Sequence, residues 1–148
     1  MTQMIFVNLP VRDLAAAKAF FEQLGYRIDP RFTDDKAACV VISDAIYAML
    51  LTEPFFAQFL TKPQVDGRQA TEVLLCLSAP SREEVDRLVA AAVAAGGREP
   101  RPAMDHGFMY GRTFEDLDGH VWEIMWMDPT FAAQGIDDPR HQENPPQP

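Results

Sequence analysis

The sequence predicts an α+β fold made of two βαβββ modules that form a cupped mixed sheet, and three observations lead there. The order strand, helix, strand, strand, strand occurs twice, over about residues 4–52 and again over about residues 70–128. Each helical stretch is closed by glycine, at Gly25 and at Gly96-Gly97, the residue that most readily adopts the left-handed turn ending a helix. Each copy is also too short to cover its own apolar face, so a duplicated unit of this length must combine with its twin. The reading is one domain over residues 1–128, with a linker at 53–69 and a Pro-rich tail at 129–148.

The elements follow in order. Ile5 to Leu9 reads as a strand, Pro10 ends its pairing, and Asp13 is a helix N-cap. Leu14, Ala17, Phe20, Phe21 and Leu24 then recur at helical spacing. Tyr26–Phe32, Ala37–Ser43 and Ala45–Thr52 have strand character. Pro54 can open a short helix carrying Phe55, Phe56 and Phe59, and these rings are expected to cover the core, lid a pocket or meet a second subunit. Lys62–Gln69 reads as an exposed linker.

In the second module, Thr71–Leu77 is expected as a strand, and Ser81 with Glu84 forms a capping box. Val85, Leu88, Val89, Ala92 and Val93 mark an amphipathic helix. Arg98–Arg101, Phe108–Phe114 and His120–Met127 supply three more strands. The tail from Pro129 holds five of the twelve prolines and is expected to be an extended arm or disordered; His141 lies within it.

Composition narrows the function classes. The 47% apolar and 24% charged fractions are those of a globular protein. No apolar run approaches the roughly 20 residues of a membrane span, and MTQMIFVNLPV lacks the basic region and long apolar segment of a signal peptide. A cytoplasmic location and no membrane partner are the expectation. A net charge of −9 with no basic stripe argues against nucleic acid as a partner. Cys39 and Cys76 lie in the apolar runs AACVVIS and VLLCLS and are expected as buried, reduced thiols.

One carboxylate asks for a chemical explanation. In TFEDLDGHVWEIMWMD, the Asp118-Gly119 turn precedes a strand in which Val121, Glu123, Met125 and Met127 share one face. Trp122, Ile124 and Trp126 share the other, where they are expected to pack beneath helices. An ionised Glu123 on a largely apolar face is costly unless something pairs with it. Arg112, Tyr110 and Tyr47 are the neighbours expected to do so. His106, beside Gly107 in a loop, could serve as acid or base if it overhangs the site; His120 reads as a turn residue.

A strand ending in VRDL before a helix ending in LGY, and the closing pattern YGRTFEDLDGHVWEIMW, resemble the vicinal oxygen chelate superfamily. That group includes glyoxalase I, extradiol dioxygenases, fosfomycin resistance enzymes, methylmalonyl-CoA epimerase and bleomycin-binding proteins. The resemblance spans nearly all of residues 4–128. It implies paired modules around a cupped cavity, homodimers in which two chains complete each site, and, in metal-using members, ligands on the first and last strand of each module. Those positions fall on Phe6, Leu50, Glu72 (Thr71 in the adjacent register) and Glu123.

Phe6 and Leu50 cannot coordinate a metal. Glu72 and Glu123 would leave a divalent ion short of the usual three protein ligands, and Asn8 and His106 are the nearest further donors, off the family positions. The resemblance therefore favours a protein with a degenerate metal site and no assured cofactor. It would bind a small molecule in a cavity lined by Phe6, Asn8, Leu50, Glu72, Glu123 and Met125, with Tyr110 and Arg112 in the binding set. The alternatives are a metal-dependent lyase or extradiol dioxygenase using Glu72 and Glu123, with Glu123 and His106 as catalytic groups, and a non-catalytic interaction module.

Overall fold

The structure, a computed structural model, describes residues 1–140; His141 and the remainder of the tail lie outside the described residues. The first module runs β1 (Ile5–Val11), α1 (Leu14–Gln23), β2 (Arg27–Asp29), β3 (Ala37–Val41) and β4 (Ile46–Thr52). A short helix α2 (Glu53–Ala57) and an irregular linker follow. The second module runs β5 (Leu74–Ser78), α3 (Arg82–Ala94), β6 (Met104–Asp105), β7 (Met109–Glu115) and β8 (Val121–Met127), and α4 (Pro129–Gln134) comes after it. Each module makes a four-stranded sheet, in the orders β1-β4-β3-β2 and β5-β8-β7-β6. In both, the first and last strands pair parallel and the other pairs run antiparallel. The two βαβββ modules are as expected.

Local chemistry sets the element ends. The Asp13 carboxylate accepts the Ala16 N–H at 3.0 Å, capping α1, and the Ser81 hydroxyl accepts the Glu84 N–H at 3.1 Å, capping α3. The capping box is only half made, because the Glu84 carboxylate turns to Arg87 instead. β2 is shorter than expected: Pro30 starts a 3-10 turn that Asp29 caps through the Arg31 N–H. In place of a strand at 98–101 there is an isolated bridge between Arg98 and Glu115, and the fourth strand is β6.

The tail corrects the reading of an extended arm, at least to residue 140. Asp128 caps α4 through the Thr130 N–H, and Phe131 is buried, stacked on Phe108 with centroids 4.3 Å apart. Five prolines dominated the composition there, but the first of them, Pro129, sits where proline suits a helix, in the first turn of α4.

One core serves both modules. Phe20 and Phe21 of α1 reach across to Phe114 and Trp122 of the second sheet, with centroid separations of 6.1 and 5.6 Å. Val85, Leu88, Val89 and Ala92 of α3 join the same cluster as Val40, Ala48 and Leu50 of the first sheet. The helix-bearing faces of both sheets are thus turned to a common interior. The other face of each sheet is left out of it, and that places the site.

Candidate functional site

Strand phase decides which side chains are available. In β8, Trp122 and Ile124 are buried in the core and Glu123 alternates with them. On the same outer face, Glu123 stands opposite Cys76 of β5 on one side and Thr113 of β7 on the other. Met125 follows two residues along. Glu123 is half-buried and makes no hydrogen bond or ion pair with any of the described residues. The expected partners are on the other side of the sheet. Arg112 binds Glu99 through Nε and Nη2 at 2.8 and 2.9 Å and Asp86 through Nη1 at 2.9 Å, and the Tyr110 hydroxyl donates to Asp86 at 2.5 Å. Tyr47 is in the first module, stacked on Phe6 at 4.8 Å.

Cys76 is the residue that sequence reasoning missed. It was expected to be buried, yet it is exposed on the outer face beside Glu123, while Cys39 is buried as expected. Loss of water, and then the Glu123 charge, push the Cys76 thiol above its ordinary pKa, so it is held as a neutral thiol. The run VLLCLS is apolar at every position, so alternation alone could not assign its phase.

The remaining positions divide. Phe6 is on the outer face of the first sheet, 48% exposed. Leu50 is not a wall residue: it is fully buried in the shared core with Ala48, and the outward side chains of β4 are Tyr47 and Met49. Glu72 precedes β5 rather than lying in it, and is exposed. His106 sits in the β6–β7 turn, its N–H on the Met109 carbonyl and its ring against Phe108. Those neighbours keep it at the end of the sheet where β8 finishes at Met127, so it does not overhang Glu123. No hydrogen bond, ion pair or ring contact among the described residues joins Phe6 or Leu50 to Glu123.

Two cavities border this surface. One, of about 560 Å³, lies between β1 and the lead into β5 and is roofed by the linker; it unites Asn8 and Glu72 with Phe56, Phe59, Val73 and Val121. The other, about 780 Å³, brings Cys76, Ser78, Met125 and Met127 together with Tyr26 and Ile46 of the first module. Burial raises the Tyr26 hydroxyl above its ordinary pKa, so it too stays protonated.

The register tests a metal directly. Asn8 is the partner of Met49, and Cys76 is the partner of Glu123. Both pairs join the first and last strands of a module on its outer face, the strands where the resemblance places metal ligands. They offer one carboxylate, one amide oxygen, a thioether and a thiol held protonated. Hard divalent ions prefer several oxygen donors, and no group of three or more His, Cys, Asp or Glu is arranged around a common point among the described residues. This donor set does not fit the divalent metal that the resemblance implies.

Comparison with known proteins agrees with this geometry at the level of fold. A family model described as bleomycin resistance protein-like N-terminal matches residues 3–43, from β1 through β3. The hypothetical protein SA1046 from S. aureus is similar, with 29% identity and a TM-score of 0.72 over 85% of this chain and 95% of that one. The fold is that of the vicinal oxygen chelate superfamily. A glyoxalase-related enzyme from Fulvimarina pelagi superposes with a TM-score of 0.69 at 26% identity, over 85% of this chain and 88% of its own. A bleomycin-binding protein complexed with bleomycin shares the vicinal oxygen chelate fold at 20% identity and a TM-score of 0.59, over 84% of this chain and 98% of that one. No curated protein matches. Among the described residues, no helix is long and apolar enough to cross a membrane.

Proposed function

We propose that this protein binds a small molecule on the outer face of the second sheet, and that it does so as a cytoplasmic homodimer in which the partner's first sheet covers that face. Glu123 carries the reading: a half-buried carboxylate with no hydrogen-bond or ion-pair partner among the described residues, set among Cys76, Thr113 and Met125, while the other half-buried carboxylates among those residues, Glu84, Glu115, Asp118 and Asp128, are each paired with an arginine. A half-buried carboxylate without a counter-charge among the described residues favours a ligand that brings one. The stacked Phe6–Tyr47 pair, outward on the first sheet, is a flat surface suited to an aromatic body. The likeness in fold to a bleomycin-binding protein is compatible with such a ligand.

The dimer rests on where the exposed apolar residues fall. Met4, Ile5 and Phe6 lie on or beside β1, and Val73 and Leu74 on or beside β5, each between 47% and 56% exposed. β1 and β5 are edge strands, and apolar edges left open invite pairing. A partner covering them would bring Phe6 and Tyr47 of one chain toward Glu123 of the other.

The test is a fluorescence titration with thioflavin T, a planar aromatic cation, alongside sedimentation analysis. The expected result is saturable binding by a dimer, weakened at least tenfold by Glu123→Gln at unchanged thermal stability. Equal binding by the variant would overturn the role of the carboxylate, and a monomer across the micromolar range would overturn the shared site. Elemental analysis of protein purified without added metal tests the donor argument: a stoichiometric divalent ion lost in Glu123→Gln would restore the enzymatic alternative.

A further inference from the structure

We infer that the cavity under the linker is a second binding site, separate from the Glu123 face, and that it takes a compact apolar or aromatic amine. Residues 58–73 between α2 and β5 contain no helix or strand. Irregular connections of this length inside a compact domain are uncommon, and those that exist are usually lids or binding loops. Here the segment encloses about 560 Å³, within the roughly 300–1,000 Å³ of small-molecule pockets.

The roof is built to stay in place at one end and to present apolar surface at the other. At its far end Gly67 and Gly119 meet backbone to backbone: a Cβ on Gly119 would lie 2.5 Å from the Gly67 carbonyl oxygen. Asp66 secures the same turn by accepting the Arg68 backbone N–H and guanidinium. At the near end Phe55 and Phe59 pack edge to face at 5.2 Å, and Phe59 is 64% exposed although it lines the cavity. A phenylalanine that borders a cavity and still meets solvent gains burial when the cavity fills.

Polar groups select the ligand's head. The lining contributes the Glu72 carboxylate, where the linker leads into β5 and with no hydrogen-bond or ion-pair partner among the described residues, and the Asn8 amide of β1. The Asn8 NH₂ donates one hydrogen to the Phe6 carbonyl at 3.2 Å, which leaves Oδ1 as an acceptor and the second amide hydrogen as a donor for a ligand. His120 also borders the space, but its Nε2 is engaged by the Pro10 carbonyl. Glu72 and Asn8 can both accept and one is anionic, while Thr61, Gln64 and Thr71 add side chains to the lining that can donate or accept. Lys62 is the one cationic side chain of the lining; it belongs to the roof, is exposed and makes no ion pair with Glu72. An ammonium donating to Glu72 and Asn8, on an apolar body against Phe56, Phe59, Leu60, Val73, Leu75 and Val121, satisfies both halves of the site.

The test is isothermal titration of the whole chain with 2-naphthylmethylamine and, in parallel, with 2-naphthylmethanol, which has the same body and no charge. The amine is expected to bind at least tenfold more tightly than the alcohol. Glu72→Gln should remove that difference without affecting the alcohol, and Phe59→Ala should weaken both; each change is at an exposed side chain and leaves the core intact. The component of amine binding that Glu72→Gln removes should persist in Glu123→Gln. Amine binding lost in Glu123→Gln and kept in Glu72→Gln would assign the probe to the outer face and overturn the second site, as would equal affinity for the two probes or no binding at all. The two sites thus succeed or fail separately.

Discussion

Nε2 of His120 lies 2.8 Å from the carbonyl oxygen of Pro10, and this contact ties the end of the first module's edge strand to the turn that begins β8. The carbonyl can only accept, so Nε2 carries the hydrogen. The same turn receives two further links from the first module: the Arg12 N–H donates to Asp118 Oδ1 at 3.0 Å and its guanidinium to the Leu117 carbonyl at 3.2 Å. Replacing His120 with alanine leaves the Pro10 carbonyl without its donor in a half-buried place, at a cost of about 1–2 kcal/mol. Urea denaturation should show that loss in a single transition, because the core is shared between modules. Two separate transitions would contradict the common core.

Gly119 is the backbone counterpart of that junction. Its φ is +81° and the space above its α-carbon is filled by the Gly67 peptide. Gly107 has a similar φ of +80° with open space around it. Gly119→Ala should therefore destabilise by about 3 kcal/mol or more, combining the left-handed backbone penalty with a backbone clash, whereas Gly107→Ala should cost only about 1–2 kcal/mol. Equal losses by thermal denaturation would mean that the linker yields at Gly67 and is not pinned there.

Leu50 and Met49 are neighbours with opposite fates. Leu50 is fully buried with Ala48 and Val40, and Met49 faces outward between Asn8 and Cys39. Leu50→Ala should cost about 2–5 kcal/mol through the cavity it leaves. Met49→Ala should cost under about 1 kcal/mol and instead alter thioflavin T binding. The opposite ranking in urea midpoints would reverse the phase of β4.

These two residues also show what the sequence could and could not reveal. The duplicated modules were legible because helical spacing, glycine stops and Asp or Ser caps all agree on them. The phase of β8 was legible because Glu123 interrupts an apolar run and so marks a face. β4, as IYAMLL, and β5, as LLCL, are apolar on both faces, since one face meets the core and the other is expected to meet a partner or ligand. A period of two then carries no phase information. Leu50 was accordingly placed on the wrong side and Cys76 in the interior, and Glu72 was counted as a strand position two residues before β5 begins. His120 gave no signal as a junction residue, because its partner Pro10 is 110 positions away.

The Arg112 cluster gives the stability a defined pH dependence. The Arg112 guanidinium holds the Glu99 carboxyl below its usual range, and the Tyr110 hydroxyl together with Arg112 does the same for Asp86. A lowered folded-state pKa contributes stability that is fully present above the unfolded-state value, near 4, and is lost as pH falls through the folded-state value. Asp86 is half exposed, so solvent screens its share, and most of the effect belongs to the Glu99 pair. Arg112→Gln should therefore cost about 1–2 kcal/mol at pH 7. The deficit relative to the unsubstituted protein should shrink below pH 4, where both carboxyls approach protonation in either protein. Urea midpoints at pH 7 and pH 3 check this. A deficit of the same size at both would assign the contribution of Arg112 to packing of its stem between α3 and β7, with the charges contributing nothing net.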